Sequence, residues 1–148
     1  MAKIVVKDVT KRFVESRTGS VVTAIEDINF SIDEGQFVCL VGPSGCGKST
    51  MLNILAGLET PSSGTVILNG NPVVGTGPDR IIVFQENALF PWLRVIENVE
   101  FGLKMAGVDK AKRYEIAIRY LDMMQLTKFA QSYIYQLSGG MKQRVAIA

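Results

Sequence analysis

Gly42-Pro43-Ser44-Gly45-Cys46-Gly47-Lys48-Ser49 fits the pattern G-x-x-x-x-G-K-[ST]. The chemistry this spacing suits is the holding of a phosphate chain. Glycines let a backbone wrap closely, so successive N–H groups turn inward as a nest for an anion. A helix opening directly after the loop adds its positive N-terminal end. Lys48 supplies a full charge for the β- and γ-phosphates of a nucleotide. The Ser49 hydroxyl is placed to ligate Mg2+, and Thr50 can offer a hydroxyl to a further phosphate. The other reading is a glycine-rich turn with a solvated lysine, and the flanks separate the two. Phe37-Val38-Cys39-Leu40-Val41 is continuously apolar, which suits a strand buried on both faces in a parallel sheet. On the far side Met51, Leu52, Ile54, Leu55 and Leu58 space as one helix, with Gly57 near its end. Strand, glycine loop and helix together predict a phosphate site with Mg2+, and alone they say only a P-loop nucleotide-binding protein.

A second run, Leu137-Ser138-Gly139-Gly140-Met141-Lys142-Gln143-Arg144, puts a serine and two glycines at a predicted helix start. The same physics makes this an anion-binding end. As an ordinary Ser N-cap it would only close a helix. One nucleotide does not need two such ends from one chain. The run resembles the LSGGQ-type signature of ATP-binding-cassette (ABC) ATPases, and the resemblance covers the whole chain. It implies an α/β fold of the P-loop NTPase type. The parts would be an N-terminal antiparallel β part, an incomplete P-loop strand–helix core and a helical subdomain. It also implies that Ser138, Gly139, Gly140 and Gln143 face the ATP held by a second ATPase subunit, in a head-to-tail dimer.

Two more residues take roles from the resemblance. Phe13 falls where the family places an aromatic stacked on adenine; a core aromatic beside the first strand is its other reading. Gln85 matches the Q-loop glutamine, a catalytic residue that touches Mg2+ or the attacking water. Without the resemblance it is a polar side chain leaving a strand. The stretch Val83-Phe84-Gln85-Glu86-Asn87-Ala88-Leu89-Phe90-Pro91-Trp92, with Glu97-Asn98-Val99 after it, looks like the nitrate/sulfonate/taurine importer ATPases. Pro91-Trp92 is the distinguishing pair, although Trp92 could also be a hydrophobic anchor where the helical block begins. Ile134 and Tyr135 depart from the Pro and His often found there in the subfamily. The implied partners are transmembrane permease subunits, docked over residues 85–138, and through them a solute-binding protein. The implied place is cytoplasmic, peripheral at the inner face of the membrane.

The elements that must position these residues can be read around them. Residues 4–9 read as a strand and 13–22 as a polar loop. Ile28, Phe30 and Ile32 alternate with polar neighbours, the pattern of a half-buried strand. Residues 65–68 read as a strand followed by the turn signal Asn69-Gly70. Residues 81–84 read as a short buried strand. From Glu86 the texture is helical, with Val95, Ile96, Val99 and Leu103 on one face. Asp109 is placed to cap a second helix whose face carries Ala111, Tyr114, Ile118 and Leu121. The organisation expected is a nucleotide-binding core over 1–85 and a helical subdomain with the signature helix over 86–148.

Composition narrows the remaining classes. With 16 basic and 14 acidic residues, bulk charge gives no sign of nucleic-acid binding. No apolar stretch approaches the roughly 20 residues that would span a bilayer. Cys39, inside the apolar run, reads as a buried thiol, and both it and Cys46 read as reduced. The chain has no histidine, and its last acidic residue is Asp122. A Walker B Asp and Glu and a switch histidine, which the resemblance would require for hydrolysis, are therefore not among these residues. The expectation is a truncated piece of an importer ATPase that binds ATP without hydrolysing it. The alternative is a non-catalytic module that pairs with an intact subunit. A P-loop kinase would explain the first motif and leave the second unexplained.

Overall fold

The computed structural model describes residues 2–16, 18–84 and 88–148, and forms two compact units, Met1–Ile82 and Val83–Ala148. The first unit is built on an antiparallel sheet of β1 (Ala2–Val14), β2 (Val21–Asp33), β3 (Ser63–Leu68) and β4 (Asn71–Pro72), in the order β2-β1-β3-β4. Strands β1 and β2 run further than their apolar patterns suggest, pairing as far as Val14 with Val21. The predicted loop over 13–22 shrinks to the tip between them. The extension is hidden from a period-2 reading because both strands are interrupted. Asp8 and Asp27 adopt left-handed backbone (φ 50° and 49°) and the register shifts between Val6 and Val9. A bulge of one residue flips the parity of the residues after it. Ile4 and Val6 therefore share the buried side with Val9, and Ile25 shares it with Ile28 and Phe30. Two side chains secure the irregular stretch. Asn29 Oδ1 accepts from Asp8 N–H at 2.9 Å, and Thr10 Oγ1 accepts from Asp27 N–H at 3.1 Å.

The buried side of the sheet packs on α1 (Lys48–Ala56) through Met51 and Ile54, as its spacing predicts. Gly57 ends the helix at φ 75°, and its N–H reaches the Ile54 carbonyl. Asn69 and Gly70, both at positive φ, turn β3 into β4.

Two strand expectations fail. Residues 37–41 and 81–84 form no strand, and both are largely solvent-facing: Phe37, Val41 and Ile81 are each 91% exposed. Cys39 is likewise an exposed free thiol, contrary to its reading as buried, and Cys46 is free and exposed too. The reason is pairing. A strand needs a neighbour for its N–H and C=O groups, and among the described residues neither segment is given one.

The second unit is helical: α2 (Val95–Met105), α3 (Lys110–Met123) and α4 (Gly139–Ile147), with 3-10 turns at Thr127–Phe129 and Ile134–Gln136. Its core joins Val95, Ile96, Leu121, Leu126, Leu137 and Val145. Asp109 caps α3 as expected, its carboxylate accepting from Ala111 N–H at 2.9 Å. Half of the predicted face of α3 holds: Leu121 is buried and Ile118 packs on the core with Ala117, while Ala111 and Tyr114 are exposed. Arg113, beside Tyr114, instead turns toward α2, where Nε meets Glu100 at 3.2 Å.

Candidate phosphate-binding site

The loop into α1 carries Gly45 and Gly47 at φ 82° and 89°, both left-handed. Of these two, Gly45 is open and Gly47 has no room for a side chain. A Cβ there would lie 2.4 Å from Ile25 Cγ2 and 2.5 Å from the Ala24 carbonyl oxygen, so the loop seats directly on β2. Met51 N–H donates to the Gly47 carbonyl at 2.9 Å and closes the first helical turn. No side chain caps this end, and its first turn holds no acidic residue. The N–H groups of Lys48, Ser49 and Thr50 thus stand at an uncapped positive helix end.

Lys48 completes the loop. Its Nζ donates to the carbonyls of Gly42 at 2.8 Å and Pro43 at 2.6 Å and lies 3.6 Å from Cys46 Sγ. As a residue Lys48 is half-buried, the loop residues Gly42, Pro43, Ser44, Gly45 and Cys46 are exposed, and so is Ser49, with Thr50 half-buried. The donor set is an anion's: backbone N–H groups and one ammonium, with no acidic residue in the first turn of the helix. The residues fit a phosphate chain.

Arg80 was not singled out from the sequence. Its Nε donates to the Ala56 carbonyl at 3.2 Å at the other end of α1, its guanidinium also binds the Gly75 carbonyl, and it pairs with Asp79 at 2.8 Å. It neutralises the negative end of the helix whose positive end carries the loop. Only the adjacent opposite charges hinted at it.

Phe13 lies on β1 opposite Val22, 41% exposed, with the Lys11 ammonium 5.0 Å from the ring centroid. It takes no part in the buried core, so its reading as a core aromatic does not hold. Gln85 lies outside the described residues.

At α4, Ser138 Oγ accepts from Met141 N–H at 3.4 Å, a long cap. Ser138, Gly139 and Gly140 are exposed, and a Cβ at either glycine would meet nothing within 4 Å. Gln143 turns inward, its Nε2 3.5 Å from the Phe84 carbonyl. Arg144 donates to the Met124 carbonyl at 2.8 Å, and buried Leu137 and Val145 anchor the two ends.

Residues 25–148, which include both helix starts, match the ABC transporter family. The chain belongs to this family. It is 52% identical over 143 residues to the nitrate import ATP-binding protein NrtD of Synechocystis, covering 97% of this chain and 53% of that one. It is 47% identical over 148 residues to the taurine import ATP-binding protein TauB of Burkholderia pseudomallei, covering all of this chain and 56% of that one. The chain thus spans about half the length of the curated relatives it matches. Its fold is that of the ABC cassette. The ATP-binding cassette MJ0796, solved as a dimer bound to ADP and Pi, superposes with a TM-score of 0.84 at 36% identity, over 97% of this chain and 67% of that one. Among the described residues no helix is long and apolar enough to cross a membrane.

Proposed function

We propose that these residues are the ATP-binding half of an ABC importer ATPase whose parent takes up a small anion such as nitrate, a sulfonate or taurine. The observation that carries the reading is the bare start of α1, with no side-chain cap and no acid in its first turn, beside the Lys48 ammonium. Such an end attracts a phosphate group. Mg-ATP, when bound, supplies the phosphoanhydride bond whose cleavage drives the parent. The N–H groups of residues 45–50 and Lys48 hold the phosphates, and Thr50 offers a further hydroxyl. Ser49 would ligate Mg2+, and the family resemblance gives Gln85 a role toward the same ion. Among the described residues no cluster of His, Cys, Asp or Glu could hold a metal by itself. Phe13, exposed beside Lys11, stacks on adenine.

The second helix start serves a partner. Glycine in a helix costs roughly 0.5–1 kcal/mol against alanine, and nothing around Gly139 or Gly140 requires it. A surface kept clear at a helix N-terminus supports an outside anion, here the ATP of a second subunit, and Gln143 lies one turn further along. Permease subunits would dock over residues 85–138 at the cytoplasmic face of the membrane, linking the subunit indirectly to a solute-binding protein. The general base for hydrolysis is not supplied by these 148 residues, which lack histidine and have no acidic residue after Asp122. The chain on its own is therefore expected to retain Mg-ATP without releasing phosphate. A phosphate-release assay beside Lys48→Ala tests this, and release above the variant's background would contradict it.

A further inference from the structure

We propose that Asn98 is a positioning residue whose side chain latches the loop over residues 90–94 and holds the Trp92 ring outward in one conformation. Asn98 lies in the first turn of α2, a helix anchored by the buried Val95 and Ile96. Its Oδ1 accepts from Phe90 N–H at 2.8 Å. Its Nδ2 donates to the carbonyls of Arg94 at 3.0 Å, Phe90 at 3.2 Å and Leu93 at 3.3 Å. A carboxamide offers one acceptor oxygen and two donor hydrogens. This one spends all of them on the loop, clasping both ends of it. The loop's own turn adds Leu93 N–H to the Phe90 carbonyl at 3.1 Å, and Glu97 accepts from Arg94 N–H at 2.7 Å.

The clasp carries an apolar load. Trp92 is 70% exposed and touches Phe90, ring centroids 5.6 Å apart; Phe90 in turn lies 4.3 Å from Phe101 on α2. An anchor for the helical block would be buried, so that reading of Trp92 fails. A large ring fixed in place and facing solvent loses little further conformational freedom when a partner covers it. The permease as that partner rests on the function proposed above; the latch does not.

Trp92 is the only tryptophan, so its fluorescence reports on this loop alone. The test measures anisotropy and iodide quenching on the 148-residue chain, below the unfolding range of every variant. The wild type should be readily quenched yet high in anisotropy. Asn98→Ala and Asn98→Asp should lower the anisotropy by roughly a fifth or more, as the released ring gains nanosecond motion. The Asp variant keeps the acceptor but loses both donors. Arg113→Met, which cuts the α2–α3 ion pair away from the loop, should lower Tm and leave the anisotropy unchanged. Anisotropy at the wild-type value in both Asn98 variants, or an equal fall in Arg113→Met, would overturn the latch. Should the Asn98 variants unfold, wild-type hydrogen exchange decides. The Phe90 amide should exchange at least about tenfold more slowly than that of Trp92, and equal rates would overturn the proposal. Failure of Trp92→Ala to weaken permease pairing would remove the permease reading and leave these outcomes as they stand.

Discussion

Gly47 and Gly140 each stand at a helix start, yet only Gly47 is required by its own chain. Gly47 combines φ 89° with a wall of β2 atoms where a side chain would go. Gly47→Ala should therefore lose at least about 1–2 kcal/mol from the left-handed backbone alone, read by urea unfolding, before the overlap with Ile25 is counted. Gly140 has ordinary helical backbone and open space. Gly140→Ala should leave stability unchanged or raise it by up to about 1 kcal/mol, while losing ATP-dependent pull-down with an intact subunit. Destabilisation by Gly140→Ala would mean that this glycine serves the fold. The phosphate loop was legible because each of its features is local: glycine, lysine and the helix directly after them. The space around the two glycines was not, because it depends on β2 in one case and on solvent in the other.

The helices were legible where a signal is short in range. Asp109 caps α3 and Ser138 caps α4, each at the residue read from the sequence as the start of its helix. Ala111 and Tyr114 were misread as part of the buried face of α3 because several faces of that helix carry apolar residues, and the choice among them is made by contacts with the rest of the helical core. Leu121→Ala should cost about 2–5 kcal/mol, as for a large side chain removed from a core. Tyr114→Ala, nearly half exposed, should cost less than about 1 kcal/mol. Thermal unfolding of the two variants checks the assignment, and equal losses would restore the face predicted from spacing. The strand readings fell short for a different reason, two of them in length and two in existence. Bulges at Asp8 and Asp27 concealed the length of β1 and β2, while residues 37–41 have strand-like composition and no strand beside them among those described.

The whole chain therefore pairs a well-seated phosphate loop with an apolar approach that faces solvent. Phe37 and Val41 should make the isolated 148-residue chain bind a hydrophobic dye such as ANS, and Phe37→Asp should reduce that fluorescence without unfolding the sheet. Dye binding unchanged by the substitution would place the apolar surface elsewhere. Membership of the ABC family makes nucleotide binding the central claim, and calorimetric titration with Mg-ATP reads it without need of hydrolysis or a partner. The wild-type chain should bind with a resolvable heat, and Lys48→Ala should weaken binding by at least about tenfold, the equivalent of one strong charge-assisted contact. Equal binding by the two proteins, or none by the folded wild type, would contradict the account.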